Sequence, residues 1–301
     1  MRTSAIALLL ALAAAAGAAD PPETAGPPRG ARPPPAWSLG LALETAAPAD
    51  LRDGAGRGAS AEWGVGAGRV IALRPGFIRL GVGAHRARYE ADGGTGGALP
   101  GPADGDYDRG SLSALLVRPG RWTWTALVGA EAAVRDGAAW ADGLSGTALV
   151  VARTDVARDL SLGVGLLAGF RFADDPFVLP VPALEYRWNP AWTLALERGL
   201  TLRHRPGGAG PNLFFAEATP DRRRYRLPDG DAVAPGGVFE DRRIAALVGW
   251  EGRPARGLTA RVFAGIAFAR EWRISDSDGR RVQEEDLDPA PVAGVELRAA
   301  F

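Results

Sequence analysis

Apolar and polar residues alternate along most of the chain after Trp37, as in strands that have one apolar face. The alternation is strictest over 122–135, 160–172 and 258–269. Alternation over about a dozen residues predicts strands rather than helices. Strands of soluble proteins usually contain about five or six residues, whereas tilted strands that cross a bilayer need about 9–11. The pattern therefore predicts an all-β protein whose strands are long enough to span a membrane.

Fourteen such segments can be counted within residues 36–301. They lie near 36–45, 59–72, 77–89, 111–118, 122–135, 146–153, 160–172, 178–188, 192–198, 199–205, 211–218, 242–251, 258–272 and 291–301. Segments 192–198 and 199–205 are short for membrane strands, so merging or dropping them would change the number. We therefore expect one domain over 36–301, a closed antiparallel up-and-down transmembrane β-barrel of about 14 strands, with 12 strands as the alternative.

The connections between these segments alternate between short turns and long polar loops. Short turns occur at 74–76 and 189–191, and long loops occur near 90–110, 219–241 and 273–290. Outer-membrane barrels have short periplasmic turns and longer external loops. An even number of strands then places the N- and C-termini on the periplasmic side of a bacterial, Gram-negative outer membrane.

The first 35 residues carry export signals. Arg2 precedes an apolar run over 5–16, and Gly17-Ala18-Ala19 supplies the small residues of a cleavage site. This pattern predicts a secretory signal peptide over 1–19, because the run is too short for a transmembrane helix of about 20 residues. The prolines that crowd residues 20–35 predict an extended periplasmic leader.

The last predicted strand carries a membrane-insertion signature. Val295, Leu297 and Phe301 share one apolar face, and the sequence stops at the aromatic residue. A chain that ends in this way looks like a bacterial outer-membrane barrel, for which the barrel-assembly machinery is the expected partner. Phe301 is predicted to face lipid on the periplasmic side, beside the strand that begins near Trp37.

Large aromatic residues lie near the strand ends, and several of them flank the short turns. An aromatic girdle at the membrane–water interface predicts this distribution, and tryptophans of an ordinary core are the alternative. The predicted girdle comprises Trp37, Trp122, Trp124, Tyr186, Trp188, Trp192, Trp250 and Trp272.

The middle of the chain resembles a family of bacterial outer-membrane barrels known only as a domain of unknown function. The resemblance rests on Ser161–Phe170 with its paired glycines, on the proline-rich entry and turn of 179–190, and on the hairpin segments 192–196 and 200–203. It covers 146–301 by motif and the first half by pattern. That family has a proline in the tight hairpin, where this chain has residues 197–199. The resemblance implies the barrel fold and no catalytic residues.

Composition narrows the possible chemistry. Acidic and basic residues both number 35, so the net charge is zero, which argues against a nucleic-acid partner. The chain has no cysteine and only two histidines, a poor inventory for disulfides, a metal or a cofactor, and we expect none of them. His85 is expected to face inward, but no nucleophile motif accompanies it, so an outer-membrane enzyme is the least favoured function.

Charged residues recur at the inward positions of many strands. Arginine on the lipid face costs about 2–4 kcal/mol at the midplane. The placement of these charged residues on the inward face of the strands therefore supports the barrel. These side chains either line an aqueous channel, for which fourteen strands give a wide enough lumen, or pair across the lumen and fill it. We predict a passive pore or uptake channel for small solutes, with a sealed structural or surface-interaction barrel as the alternative. The predicted lumen-lining residues are Glu62, Arg79, Glu131, Arg135, Arg171, Glu185, Arg187, Arg243, Glu251, Arg261, Glu296 and Arg298.

An arginine-rich run lies in the longest predicted external loop. Arginine pairs well with phosphates, so contact with lipopolysaccharide phosphates is one hypothesis, and a solvated charge run is the other. Outer-membrane lipid and lipopolysaccharide are the expected partners, and the pattern leaves the oligomeric state open. The four arginines are Arg222, Arg223, Arg224 and Arg226.

Overall fold

The computed structural model describes residues 37–52, 56–93, 104–196 and 199–301. The predicted signal peptide over 1–19 and leader over 20–35 lie outside these residues. The described chain contains two short 3-10 helices, Trp140–Gly143 and Pro206–Gly208, and none of its helices is long and apolar enough to cross a membrane. Its strands are β1 (Trp37–Asp50), β2 (Gly56–Leu73), β3 (Gly76–Gly93), β4 (Gly105–Arg118), β5 (Thr123–Arg135), β6 (Leu144–Asp155), β7 (Leu160–Arg171), β8 (Asp174–Asn189), β9 (Trp192–Leu196), β10 (Leu200–His204), β11 (Leu213–Arg226), β12 (Val238–Ala255), β13 (Leu258–Ser275), β14 (Arg281–Leu287) and β15 (Ala290–Ala300).

The strands form one closed antiparallel barrel in which neighbours in sequence are neighbours in the wall. Strands β1 to β13 pair in chain order. β14 pairs with Arg270–Ser275 of β13, and β15 pairs with Leu258–Ala267 of the same strand. β15 also pairs with β1 and closes the wall. Because β14 and β15 share one strand position, the described wall has fourteen positions, which confirms the predicted fold.

The two shortest predicted strands exist as separate strands. β9 and β10 contain five residues each, and they pair from Leu196↔Leu200 to Trp192↔His204. The wall therefore has fourteen positions rather than the alternative twelve. Residues 197–198 of the connection, where the resembled family has a proline, lie outside the described residues.

The outward face of the wall is apolar. In β1 the side chains of Leu39, Leu41 and Leu43 are 47–58% exposed, as expected for residues that meet lipid. Directly paired residues point to the same face of the sheet. Following the pairs from strand to strand therefore identifies the other outward residues around the barrel. One outward row runs through Leu39, Ala67, Val82, Leu112, Ala130, Gly146 and Phe170.

Several strands extend beyond their predicted ends. The loop predicted over 219–241 is shorter in the structure, because β11 runs to Arg226 and β12 begins at Val238. Above the membrane both faces of a hairpin carry polar residues, so the apolar alternation ends although the backbone ladder continues. The arginine run is therefore part of a strand, and its members alternate between the two faces of the sheet.

At its outer end β11 crosses the barrel and meets the opposite wall. Arg226 pairs in parallel with Val134 of β5, although five strands separate β5 from β11 in the wall. This pairing divides the outer half of the barrel. Strands β11 to β14 and β1 to β5 enclose what we name the closed lobe, and β6 to β8 lie beside it.

Candidate functional site

The inner, turn-side half of the lumen has a wall of small residues. One inward row crosses six neighbouring strands, and the atoms nearest to a Cβ built at Gly81 or Gly129 belong to the wall itself. Most members of the row are partly exposed, so solvent reaches this part of the lumen. The row consists of Ser38, Gly68, Gly81, Ser113, Gly129 and Thr147.

The opposite side of this lumen half carries paired charges. Arg261 contacts Glu217 at 2.7 Å and Glu296 at 3.2 Å. Each of these three side chains comes from a different strand, and their pairing is along the wall rather than across the bore. The inner lumen is thus polar and charged on one side and lined by small residues on the other.

A second inner cluster lies on β6 and β8. Glu185 is buried and accepts hydrogen bonds from Arg153 at 3.1 Å and from Arg187. On the neighbouring strand β7, a Cβ at Gly163 or Gly165 would lie within 2.7 Å of a backbone oxygen of β6. These two glycines therefore permit a close backbone approach between β6 and β7.

Halfway along the barrel an ion network crosses the closed lobe. Arg223 of β11 contacts Glu44 at 2.8 Å, Glu62 at 2.6 Å and Asp221 at 2.9 Å. Arg223 and Glu62 are both 9% exposed, so the network excludes most water. Since β1 and β2 lie on the other side of the closed lobe from β11, the contacts join opposing walls.

The network extends to neighbouring strands on both sides. Arg243 donates to Asp221 at 2.8 Å and to Glu44, while Arg109 donates to Glu62. His85 also contacts Glu62, with its Nδ1 3.1 Å from Oε1. A buried charge cluster of this kind requires every member to be paired, because an uncompensated buried charge is costly.

Above the ion network, five aromatic side chains fill the closed lobe. Tyr89 lies 5.3 Å from Tyr107 and 5.0 Å from Phe239 between ring centroids, and Tyr107 lies 4.6 Å from Tyr225. Trp272 packs edge-on against Tyr89. All five are at most 1% exposed. We name this cluster the aromatic plug, and it closes the outer end of the lobe.

Arg270 is buried beside the plug without a hydrogen-bond partner. It is 2% exposed, and none of its three nitrogens has a partner among the described residues. The neighbouring Asp241 is 1% exposed and accepts a 3.1 Å hydrogen bond from Tyr89. Ala269 has a φ of 49° and interrupts the register with β12, which turns Arg270 inward.

The opposite face of β11 carries an ion ladder. Arg222 contacts Glu240 at 2.6 Å, Arg224 contacts the same carboxylate at 3.2 Å, and Arg224 also hydrogen-bonds Asp174 of β8. The ladder continues over β12 and β13 to Glu284 of β14, whose pKa is lowered by hydrogen bonding to Arg281. The run 222–226 thus contributes to the ladder and, through Arg223, to the lumen.

The structure brings together only some of the residues predicted to line the lumen. Glu62, Glu131 and Arg243 lie in or beside the ion network, and Arg135 binds Asp231 at the outer end. The register places the others on inward positions of the inner half or rim: Arg79, Arg171, Glu185, Arg187, Glu251, Arg261, Glu296 and Arg298.

Sequence reasoning missed half of the ion network. Glu44 and Arg109 lie at inward positions of β1 and β4, whose alternation is visible in the sequence. Counting every second residue along these strands would have identified them. Arg223 and Asp221 were hidden in the predicted loop, because no apolar alternation marks the outer part of β11.

The predicted girdle contains one error. Trp37, Trp122, Trp124 and Trp188 are 44–50% exposed and lie close to the turn-side end of the wall. Trp272 is instead part of the aromatic plug, because the bulge at Ala269 reverses which side chains of β13 face the lumen.

The two histidines have different surroundings. His85 belongs to the ion network through Glu62. His204 lies beside Trp192 on the turn-side edge, with ring centroids 4.2 Å apart. Neither arrangement places a hydroxyl nucleophile in a triad geometry among the described contacts.

Comparison with known proteins gives a structural likeness only. No protein-family model and no curated protein matches this chain. The structure of an outer-membrane channel from Pseudomonas putida F1 is similar over 94% of this chain and 100% of that chain, with a TM-score of 0.50 and 10% identity. The match to the Pseudomonas putida toluene transporter TodX extends over 89% of this chain and 90% of that chain, with a TM-score of 0.42 and 10% identity.

The match to the KdgM porin extends over 88% of this chain and 99% of that chain, with a TM-score of 0.37 and 8% identity. At such identities the likeness concerns the fold and not the substrate. Together with the closed wall and its apolar outer face, the likeness to the Pseudomonas putida F1 channel leads to one conclusion. This chain has the fold of the bacterial outer-membrane β-barrels.

Proposed function

We propose that this protein is an outer-membrane channel for small solutes, whose inner lumen opens to the periplasm through the short-turn end. The observation that carries the proposal is the inward row through Gly81 and Gly129, which leaves the inner lumen accessible. A barrel that served only as a rigid surface scaffold would gain stability from larger side chains there, because empty space in a packed interior costs stability.

The orientation belongs to this proposal. The short turns lie at the end that holds Trp37 and Phe301, and long hairpins extend from the other end. Outer-membrane barrels keep short turns in the periplasm and long loops outside. We therefore place both chain ends in the periplasm, and we retain the barrel-assembly machinery as the partner that recognises Val295, Leu297 and Phe301.

The channel can be tested by narrowing its inner lumen at one position. Gly129→Trp adds a large side chain on the inward face, whereas Ala130→Trp adds the same side chain to the lipid face one residue later. In liposome-swelling measurements with a small sugar, we expect the wild type and the Ala130→Trp variant to transport and the Gly129→Trp variant to lose most of its flux.

The sealed barrel is the second candidate, because the ion network and the aromatic plug fill one lobe with buried side chains. Wild-type protein that neither swells liposomes nor conducts ions in planar bilayers would support this candidate and overturn the channel. Equal flux through the two tryptophan variants would show that solutes do not pass the inner row.

Lipopolysaccharide contact is proposed only for the arginines on the face of β11 that points away from the closed lobe. Arg222, Arg224 and Arg226 lie on that face, where Arg222 and Arg224 already contact Glu240 and Asp174, while Arg223 is held by three carboxylates inside the closed lobe. Replacing these three residues with serine is expected to reduce lipopolysaccharide retention during purification. Retention equal to that of the wild type would remove this part of the proposal.

A further inference from the structure

The hairpin of β9 and β10 covers only part of the height of the wall. Each of its strands has five residues, a length of about 17 Å along the strand, and tilt lowers the height that it spans. The apolar band of outer-membrane barrels is about 25 Å tall. The neighbouring strands β8 and β11 are longer, with 16 and 14 residues.

Above this hairpin the facing edges of β8 and β11 are unpaired. The last pair of β8 with β9 is Leu184↔Leu196, and the last pair of β10 with β11 is Leu200↔Ala218. Beyond them, among the described residues, 177–183 of β8 pair only with β7, and 219–225 of β11 pair only with β12. All of these residues are described. We name the opening between the two edges the β8–β11 window.

Prolines mark both edges of the window. Pro180 and Pro182 lie at alternate positions of β8, and the pairing with β7 continues through both of them. Pro220 has the same place on β11, where pairing with β12 is also continuous. Proline is tolerated in a sheet where its missing N–H faces an open edge. Prolines also protect such an edge from pairing with another strand.

Between its top and its bottom, no described strand pairs with either edge of the window. At the top, Arg224 and Asp174 form an ion pair between the two strands, and at the bottom lies the β9–β10 hairpin. Beside the opening, Val164, Leu166 and Val178 are 59–66% exposed on the outward face. The opening therefore faces the apolar region of the outer half of the membrane.

The space behind the window is apolar and carries one excess positive charge. Leu149, Leu167 and Leu179 form an inward row across three strands. The Arg171 guanidinium lies 4.8 Å from the centroid of the Phe177 ring and forms no ion pair with a carboxylate in the described part of the chain. Asp174 and Glu240, the two acidic groups whose charges act on Arg171, are engaged by the ion ladder.

We propose that the β8–β11 window is a lateral entrance for small amphiphilic anions that partition into the membrane. Their apolar part contacts the leucine row and Phe177, and their anionic group binds Arg171. The route bypasses the aromatic plug, because the plug closes only the opposite lobe. This inference rests on the proposed channel function and names its substrate class and its entrance.

A cross-link across the window tests the route. The chain has no cysteine, so Val181→Cys on β8 and Thr219→Cys on β11 can be joined by bis-maleimides of graded length. The matched control joins Thr193→Cys and Arg203→Cys, which are direct partners within the β9–β10 hairpin. The probe is 2-naphthoate added outside proteoliposomes at pH 8, with salt conductance measured in parallel.

We expect the window cross-link to reduce naphthoate entry at least tenfold relative to the control cross-link. Arg171→Gln is expected to raise the half-saturating naphthoate concentration by roughly tenfold, since a hydrogen bond to a charged group contributes about 1.5–3 kcal/mol, and Arg171→Lys to restore part of the loss. Entry that is unchanged by the window cross-link, or conductance without naphthoate entry, would overturn the lateral route and leave the channel. Protein without any flux would overturn both.

Discussion

Trp37 and Phe301 exchange two backbone hydrogen bonds, each 3.1 Å long, at the seam between β1 and β15. This reciprocal pair fixes the register of the seam, which continues from Ser38↔Ala300 to Ala46↔Val292. A sheet that closes in this way leaves no exposed edge at the seam, where another chain could pair.

The seam register predicts a specific disulfide. Ser38 and Ala300 are direct partners on the inward face, and direct partners have Cβ atoms about 4.5–5.5 Å apart. Ser38→Cys combined with Ala300→Cys should therefore form a disulfide under oxidising conditions, detected as a changed mobility in non-reducing electrophoresis. Ser38→Cys with Ala299→Cys is the control, because Ala299 faces outward; equal oxidation of the two pairs would contradict the register.

Removing the aromatic plug should open an axial path. Tyr107→Ala with Phe239→Ala deletes two buried rings, at a cost of about 3–5 kcal/mol each, and is expected to increase single-channel conductance in planar bilayers. Tyr186→Ala with Trp188→Ala removes two aromatic rings from the outer wall and should leave conductance near the wild-type value. An unchanged conductance in the plug variant would show that the ion network alone closes the closed lobe.

The ion network should be essential for stability. Glu62→Gln leaves Arg109 and Arg223 partly uncompensated in a buried site, which is expected to cost about 3–5 kcal/mol of unfolding free energy. The measurement is urea unfolding of the protein in detergent micelles, followed by tryptophan fluorescence. Glu251→Gln in the inner lumen is the control, and a loss as small as that of the control would refute a structural role for the network.

Arg270 should destabilise the folded protein. A buried cation without hydrogen bonds is costly, and replacement of buried charges by apolar residues is often stabilising by about 1–4 kcal/mol. Arg270→Met is therefore expected to raise the urea midpoint. Arg273→Met, which removes two ion pairs of the outer ladder, should not. A lower midpoint for Arg270→Met would reveal a stabilising role for the guanidinium.

The sequence predicts the membrane half of the barrel well, because one physical rule governs it. Side chains such as Leu41 and Val164 must meet lipid, and their neighbours must not, so alternation reveals both strand and orientation. The weak signal over 192–205 also proved to be two strands. Their short length, which made the number of strands hard to decide, is the physical origin of the β8–β11 window.

The outer half could not be predicted in the same way. Arg223 and Arg224 are adjacent and equally polar, yet one is fixed inside the closed lobe and the other belongs to the ion ladder on the opposite face of β11. That difference depends on β11 crossing to Val134, a contact between residues distant in sequence. The inward turn of Arg270 likewise depends on a one-residue bulge, which leaves no mark in composition.

The bulge at Ala269 divides β13 into two segments with opposite substitution rules. Up to Ala267, odd-numbered residues face the lumen and even-numbered residues face lipid; from Arg270 onward the even-numbered residues are inside. In a complete substitution scan of this strand, charged residues should be tolerated at odd-numbered positions before the bulge and at even-numbered positions after it. Deleting Ala269 would remove the bulge and leave one unbroken alternation, in which Phe268 still faces lipid and Arg270 and Trp272 still face the closed lobe. This one residue is therefore the extra position that breaks the alternation between the membrane half of the barrel and its closed outer end.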